Sequence, residues 1–184
     1  MATVRPGDAS ALLVVDMQVG VVADAWDAAG VLERIQGLVR RARQEGVPVI
    51  WVQHADDGLP QGSPAWHWAP ELVPLADEAL IPKGHNSAFE DTALESVLAQ
   101  LGVSRLVLTG AATNWCIRAT AYGALDRGYD LALVADAHTT SPMTLDNGRT
   151  IEPAGVIDEL NLAMTWLSYP GRRNSAPLAA AVAW

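Results

Sequence analysis

The chain is poor in cysteine, in basic residues and in long hydrophobic runs. These features are typical of proteins in oxidising compartments, nucleic-acid-binding proteins and membrane proteins, respectively. Cys116 is the only cysteine among the 184 residues, so no internal disulfide can form. Basic residues are also scarce, because twelve lysines and arginines stand against twenty-one acidic residues. The resulting net charge of -9 argues against nucleic acid or an anionic membrane as the main partner.

Long hydrophobic runs are absent from the sequence as well. None approaches the ~20 residues that span a bilayer, and the N-terminal segment lacks the apolar core of a signal peptide. We therefore expect a cytoplasmic protein without a membrane partner. Hydrophobic residues still make up 50% of the chain, enough to bury the core of one domain. We expect residues 1–184 to form a single domain, with 170–184 as a flexible tail or a subunit contact.

What the sequence does contain is an alternation of apolar runs and amphipathic segments. Apolar runs predict strands at 11–15, 47–53, 79–82, 105–109 and 131–135, with a weaker one at 164–169. Apolar residues at helical spacing predict helices at 31–42, 94–101, 114–127 and after 153. Strands that alternate with helices form a parallel sheet with right-handed crossovers, so we predict a three-layer α/β/α fold.

Three of these strands end at a residue that can do chemistry. The first runs into Asp16, the third into Lys83, and the fourth leads through a turn at Gly110 into a helix that carries Cys116. Because the carboxyl ends of parallel strands lie on one edge of the sheet, these side chains can converge there. A lysine near a thiol lowers the thiol pKa, and a carboxylate can accept its proton. The pattern therefore predicts a triad of aspartate, lysine and cysteine.

Cys116 falls at the start of its predicted helix. With Thr113 as the N-cap, the thiol lies in the first turn, where unpaired N–H groups and the helix dipole favour negative charge. The same groups can stabilise the oxyanion that forms when a thiolate attacks a carbonyl. A lone cysteine is more often a small buried hydrophobe. The preceding strand and glycine turn favour a nucleophile here.

Three motifs together resemble the isochorismatase-like cysteine hydrolases. They are Asp-Met-Gln at 16–18, the segment 83–89, and Gly-x-x-Thr-x-x-Cys at 110–116. The resemblance extends over about 11–136, most of the chain. It implies the strand order 3-2-1-4-5-6 and a reaction without a cofactor.

The resemblance also implies a role for each site residue. Asp16 is the proton shuttle, Lys83 the electrostatic support and Cys116 the nucleophile. A cis peptide bond is implied between Ala111 and Ala112, with an oxyanion hole formed by the backbone N–H groups of Ala112 and Cys116. The cysteine favours the amidase branch of the family over the enol-ether hydrolases, which do not need it.

Further residues near these positions are candidates for substrate binding. They are Gln18, His54, Asn114 and Trp115, although core packing is an equal alternative for Trp115. The segment 55–74 has no clear period, and we expect it to form a wall or lid of the site. Its Trp66 and Trp68 are candidates for a hydrophobic lid or a subunit contact.

A metal site is the weaker alternative for this loop. The related nicotinamidases carry an Asp-x-His pair and a later histidine, whereas residues 53–56 read Gln-His-Ala-Asp here. His54, Asp56 and His67 are the set that could still bind a metal. We expect no metal and no cofactor. His85 and His138 fall on predicted loops, where we expect solvation or bonds to the backbone.

These observations predict a cysteine amidohydrolase that cleaves the C–N bond of a small amide or lactam through a thioester. No cluster for binding a carboxylate is evident, and Arg118 is the one basic candidate close to Cys116. This favours a neutral or basic substrate of the kind that streptothricin hydrolases cleave. The alternatives are a nicotinamidase, a carbamoyl-amide hydrolase or, from another class, a thiol-redox or ligand-binding protein on the same fold.

A homodimer or larger homo-oligomer is also expected. Members of the family commonly associate, and the chain has seven tryptophans, several of them in predicted loops. Its C-terminal segment is apolar and ends in Val-Ala-Trp. Exposed apolar patches of this kind usually mark contacts between chains.

Overall fold

The computed structural model describes residues 2–184, and its central feature is a parallel sheet between two layers of helices. In chain order the strands are β1 (Ala9–Val15), β2 (Val49–His54), β3 (Ala79–Lys83), β4 (Val103–Ala111), β5 (Asp130–Thr139), β6 (Met143–Thr144), β7 (Thr150–Ile151) and β8 (Asn174–Ser175). Six of them form the sheet in the order β3-β2-β1-β4-β5-β8, and β6 pairs with β7 in a small antiparallel ribbon. The predicted fold and strand order are confirmed.

Helices cover both faces of this sheet. They are α1 (Val19–Val22), α2 (Ala28–Gln44), α3 (Leu94–Gln100), α4 (Arg118–Asp126) and α5 (Pro153–Trp166). A π-helical turn, Thr113–Ile117, precedes α4, and a short 3-10 helix, Ala179–Ala181, lies near the C-terminus. Helix α2 packs on one face, and α3, α4 and α5 pack on the other. None of the helices in the described part of the chain has the length and hydropathy of a membrane span.

Strand β1 lies at the centre because both of its faces are apolar. Leu12 and Val14 contact the core under α2, whereas Leu13 and Val15 contact the core on the opposite face. Successive residues of a strand point to opposite faces, so a continuous apolar run suits a strand covered on both sides. The strand pairs in parallel with β2 on one side and β4 on the other.

The sixth strand lies further along the chain than the sequence indicated. The apolar pattern at 164–169 was predicted to be this strand, but its first part is the last turn of α5, where Met164 is fully buried. The edge strand is instead β8, which pairs with β5 through Leu131 opposite Asn174. That prediction was wrong because the helical spacing of α5 continues through Met164.

The C-terminal residues pack against their own chain. The Ala179 N–H donates a hydrogen bond to Asp136 Oδ1 (2.7 Å), and Arg41 donates to the carbonyls of Ala179 and Val182. Val182 is buried in the core under α2. This segment therefore extends the sheet and closes part of one face.

Candidate active site

The close approach of β1 and β4 sets the position of the site. Val15 is paired with Gly110, whose φ of +125° is one that other residues rarely adopt. A Cβ added at Gly110 would lie 2.0 Å from the carbonyl oxygen of Val15. Glycine is therefore required where β4 turns into the cysteine segment. Directly after Val15, Asp16 adopts a left-handed conformation (φ 51°), and its N–H donates to the Val52 carbonyl.

Strands β2 and β3 bring two further side chains to the same edge. Their last paired residues are His54 and Lys83. Lys83 extends toward the centre of the edge, where its ammonium nitrogen lies 2.6 Å from Asp16 Oδ2 and 3.2 Å from Cys116 Sγ. Asp16, Lys83 and Cys116 are all buried. The structure thus brings the three predicted triad residues together, although they are far apart in the sequence.

In the resting site, Cys116 is a protonated thiol. Burial and, after it, the Asp16 carboxylate raise the pKa of Cys116 to about 12, because together they outweigh the opposing effect of Lys83. Burial also raises the pKa of Asp16, with the Lys83 ammonium acting in the opposite direction. Lys83 acts on the thiol in the predicted direction but is outweighed. The thiolate must therefore be generated by transfer of its proton to a base rather than stored.

The nucleophile turn begins one residue earlier than predicted. Ala112, rather than Thr113, precedes the first helical residue, and its carbonyl accepts hydrogen bonds from the N–H groups of Trp115 and Ile117. Thr113 is buried within the turn. Cys116 still lies in the first turn, as expected. The peptide bond between Ala111 and Ala112 is cis, as the resemblance implied.

His138 corrects a second expectation. It was expected on a loop, either solvated or bonded to the backbone, but β5 extends to Thr139 and His138 is buried. Its Nε2 lies 2.9 Å from Asn161 Oδ1, and its Nδ1 lies 2.9 Å from Thr113 Oγ1. The Asn161 amide nitrogen donates to the Ala135 carbonyl. Nε2 therefore carries the proton, Nδ1 accepts from the Thr113 hydroxyl, and burial lowers the His138 pKa.

Two of the predicted substrate contacts are occupied by the protein itself. Gln18 is fully buried, and its amide bonds to both the N–H and the carbonyl of His54 and to the carbonyl of Trp66. The side chain of Asn114 bonds to Met143 and Thr140. Gln18 therefore fastens the backbone around His54 rather than facing the site, and Asn114 secures the segment after β5.

The other two predicted contacts have different surroundings. Trp115 is 55% exposed although it adjoins the buried Cys116, so it is free to contact a substrate. His54 uses both ring nitrogens, since Nδ1 lies 3.2 Å from Lys83 Nζ and Nε2 lies 2.9 Å from Asp56 Oδ2. Sequence reasoning placed His54 near the pocket but did not find these two partners.

The loop 55–74 is fastened to the segment after β1. The N–H groups of Val19 and Ala69 donate to the carbonyls of His67 and Met17. The ring of Trp68 packs edge-on against Trp51, with centroids 5.3 Å apart. The loop therefore forms a fixed wall beside the strand ends.

The residues of the metal alternative do not form a cluster. His54 and Asp56 bond to each other, whereas His67 is exposed with its ring against Trp66. Across residues 2–184, no group of three or more His, Cys, Asp or Glu side chains is arranged to hold a metal ion. Arg118, the candidate for binding an anion, pairs with Glu159 on α5.

The fold and the strand-end residues place the chain among open-sheet α/β proteins that present a cysteine at a strand-to-helix turn. The Isochorismatase domain model matches residues 10–148. The chain belongs to the isochorismatase family.

Curated relatives agree with this assignment. A streptothricin hydrolase from Streptomyces noursei is 37% identical over 71% of this chain and 49% of its own length. The ureidoacrylate amidohydrolase RutB of Methylorubrum extorquens (strain DSM 6343 / CIP 106787 / DM4) is 34% identical over 79% of this chain and 77% of its own. The chain thus spans about half the length of the streptothricin hydrolase and most of RutB.

Solved structures show the same fold. An isochorismatase from Pseudomonas putida KT2440 superposes with a TM-score of 0.79 at 26% identity, covering 96% of this chain and 93% of the other. A cysteine hydrolase from Pseudomonas syringae pv. phaseolicola 1448A gives 0.82 at 22% identity, covering 93% and 89%. Because its sequence identity is only 22%, this second match supports the shared fold alone.

Proposed function

We propose that this chain is a cysteine amidohydrolase that cleaves the C–N bond of a small amide or lactam through a thioester. The observation that carries the proposal is the buried contact of Lys83 with both Asp16 and Cys116, at 2.6 and 3.2 Å. Acyl transfer requires a nucleophile, a base and a stabilising cation within ion-pair or hydrogen-bond distance of one another. The names of the two relatives, a hydrolase and an amidohydrolase, support the same chemistry.

The first half of the reaction forms the thioester. Asp16 accepts the proton of Cys116, and the sulfur adds to the substrate carbonyl carbon. The carbonyl oxygen becomes an oxyanion, for which the N–H groups of Ala112 and Cys116 are the proposed donors. Collapse breaks the C–N bond, and the leaving nitrogen takes the proton that Asp16 holds.

The second half returns the enzyme to its starting state. Asp16 removes a proton from water, and the hydroxide adds to the thioester carbon. Breakage of the C–S bond releases the carboxylic acid, and the proton held by Asp16 returns to sulfur. The Lys83 ammonium, in contact with both groups, stabilises whichever of Asp16 and Cys116 is anionic.

The charges around the site favour a neutral or basic substrate over an anionic one. Arg118 is engaged by Glu159. Lys83 is buried and already paired with Asp16. Asp56, beside His54, adds an exposed negative charge close to the site. An anion such as ureidoacrylate would need a cationic partner that these contacts do not provide.

A thiol-redox role, the alternative from another class, has less support. Redox-sensing cysteines combine a low pKa with access to solvent. Cys116 is buried, and its pKa is raised to about 12. Carbamoyl-amide hydrolysis stays a second candidate because the RutB relative acts on a ureido compound by its name.

The test is a hydrolysis screen of cyclic, aryl and carbamoyl amides, read by ammonia release and by mass spectrometry of the products. We expect turnover of a neutral or basic amide and a loss of about 10³-fold or more in Cys116→Ala, because the nucleophile is removed. Thermal melting checks that the variant is folded. Full turnover by a folded Cys116→Ala would exclude this mechanism.

A control variant addresses the substrate class. Arg118→Gln removes a cation near the nucleophile without touching the triad, and it is expected to keep wild-type turnover. Preference for an anionic amide, with activity lost in Arg118→Gln, would show the substrate assignment to be wrong.

A further inference from the structure

The ammonium group of Lys83 has more acceptors around it than hydrogens to donate. Its nitrogen lies 2.6 Å from Asp16 Oδ2, 3.1 Å from the His85 carbonyl, 3.2 Å from Cys116 Sγ and 3.2 Å from His54 Nδ1. An ammonium carries three hydrogens. Asp16, the charged partner of an ion pair with Lys83, and the His85 carbonyl make the two shortest contacts and attract two of these hydrogens. The sulfur of Cys116 and the imidazole of His54 are left to compete for the third.

The contact between His54 and Asp56 determines which nitrogen of the His54 ring can accept a hydrogen from Lys83. An ammonium is a donor only, so His54 Nδ1 must accept from Lys83. The proton of the ring is then on Nε2, which donates to Asp56 Oδ2 at 2.9 Å. Asp56 is itself held by the N–H groups of Gly58 and Leu59, which donate to its other oxygen. The ring is thereby presented to Lys83 in its accepting form.

We propose that His54 is a positioning residue that acts on the nucleophile through Lys83. It competes with Cys116 for the third hydrogen of the ammonium, withholding it from the resting thiol and releasing it to the thiolate formed during the reaction. A thiolate is a stronger acceptor than a neutral imidazole, whereas a thiol is a weaker one. The hydrogen therefore moves toward sulfur when Cys116 loses its proton.

This role accounts for a protonated thiol directly beside a lysine. The titratable groups that meet the thiol are Asp16 and Lys83, and His54 with Asp56 lies on the far side of the ammonium. Lys83 lowers the pKa of Cys116 but does not outweigh burial and Asp16. Removal of the imidazole acceptor leaves three acceptors for three hydrogens. The whole of the third hydrogen bond then goes to sulfur.

The experiment is a pH titration of the thiolate by its ultraviolet absorbance in His54→Leu and wild type. Cys116 is the only cysteine, so the difference from a Cys116→Ala reference reports on this thiol alone. We expect the apparent pKa to fall by about 1 unit in His54→Leu, since a full hydrogen bond to the charged form favours ionisation. An unchanged or raised pKa would overturn the proposal. If His54→Leu does not fold, His54→Ala is measured in its place.

His54→Asn is the matched control, because its Oδ1 can occupy the position of Nδ1 and keeps an acceptor for Lys83. We expect its thiol to titrate within a few tenths of a unit of wild type. A shift as large as that of His54→Leu would overturn the proposal, since loss of the acceptor would then not be the cause. A loosened site would also lower the thiol pKa by exposing the sulfur to water. That effect does not require Lys83, so it would persist in a Lys83→Met background.

A double-mutant cycle with Lys83→Met tests whether His54 acts through the lysine. The effect of His54→Leu on the thiol pKa should vanish in that background, and persistence of the effect would overturn the proposal. The inference rests on the proposed function only in taking Cys116 as the nucleophile. No substrate is used, so its failure is distinct from that of the hydrolase, which the Cys116→Ala screen decides.

Discussion

At Cys116 and Asp16, a thiol and a carboxylate share one proton beneath the protein surface. Burial raises the pKa of both groups, and the negative charge of Asp16 raises that of the thiol further. Each group is thus made more basic by surroundings that also exclude water. The arrangement favours transfer of the proton from one group to the other over its loss to solvent.

The variant Asp16→Asn separates the role of a base from that of a charge. Loss of the carboxylate should lower the pKa of Cys116, because Asp16 raises it and Lys83 remains to lower it. Hydrolysis should nevertheless fall by about 10³-fold or more, because no group remains to carry the proton. Thiolate absorbance against pH and the amide screen measure the two effects.

The opposite results would contradict this account. A thiol that titrates at the same or a higher pH in Asp16→Asn would mean that the carboxylate does not oppose thiolate formation. Wild-type hydrolysis would mean that another group is the base. Thermal melting of the variant distinguishes either result from unfolding.

At the level of elements, the site depends on how closely β4 can approach β1. Gly110 is the point of contact, because a Cβ there would lie 2.0 Å from the Val15 carbonyl oxygen and φ is +125°. Neither strand can move away without breaking the sheet. The glycine is therefore required by the backbone that carries Asp16 and Cys116.

Gly110→Ala is expected to destabilise the fold by about 3 kcal/mol or more, from steric overlap and backbone strain together. Gly37→Ala is the matched control in the middle of α2, where the nearest atom to an added Cβ is 3.8 Å away and belongs to the Arg40 side chain. It should stabilise by about 0.5–1 kcal/mol. Urea denaturation measures both variants. Equal stability of the two would refute the role given to Gly110.

The elements also show which structures the sequence could predict. Strands β1, β2, β4 and β5 were found because strands buried on both faces are continuous apolar runs. The edge strand β3 has Leu80 exposed and was found from its short apolar run alone. Strand β8 is only Asn174–Ser175, which carries no apolar signal and is defined by its pairing with β5. The π-helical turn had no local signal either, since it depends on the Ala112 carbonyl accepting two N–H groups.

The site residues also divide into those that the sequence could predict and those that it could not. The positions of Asp16, Lys83 and Cys116 could be predicted because each lies at the end of a strand or in the segment that follows it. The partners of Gln18 and His138 could not, because they lie on distant segments that only the folded chain brings together.

For the whole molecule, two hydrophobic cores hold the sheet and the chain's own C-terminal segment closes one face. Helix α5 leaves Leu162 and Trp166 57% and 80% exposed. The homo-oligomer expected from the sequence stays a prediction, and these side chains are apolar surface that it could cover. The net charge of -9 agrees with the neutral or basic substrate proposed from the local contacts.

The most direct test of the central claim is the intact mass of the protein, acid-quenched during turnover of the best amide from the screen. The account predicts a mass increase equal to the acyl part of the substrate, located on the peptide that contains Cys116 and absent in Cys116→Ala. Hydroxylamine should remove the adduct and yield the hydroxamate. An unmodified protein that forms product, with no hydroxamate in the presence of hydroxylamine, would contradict the thioester mechanism.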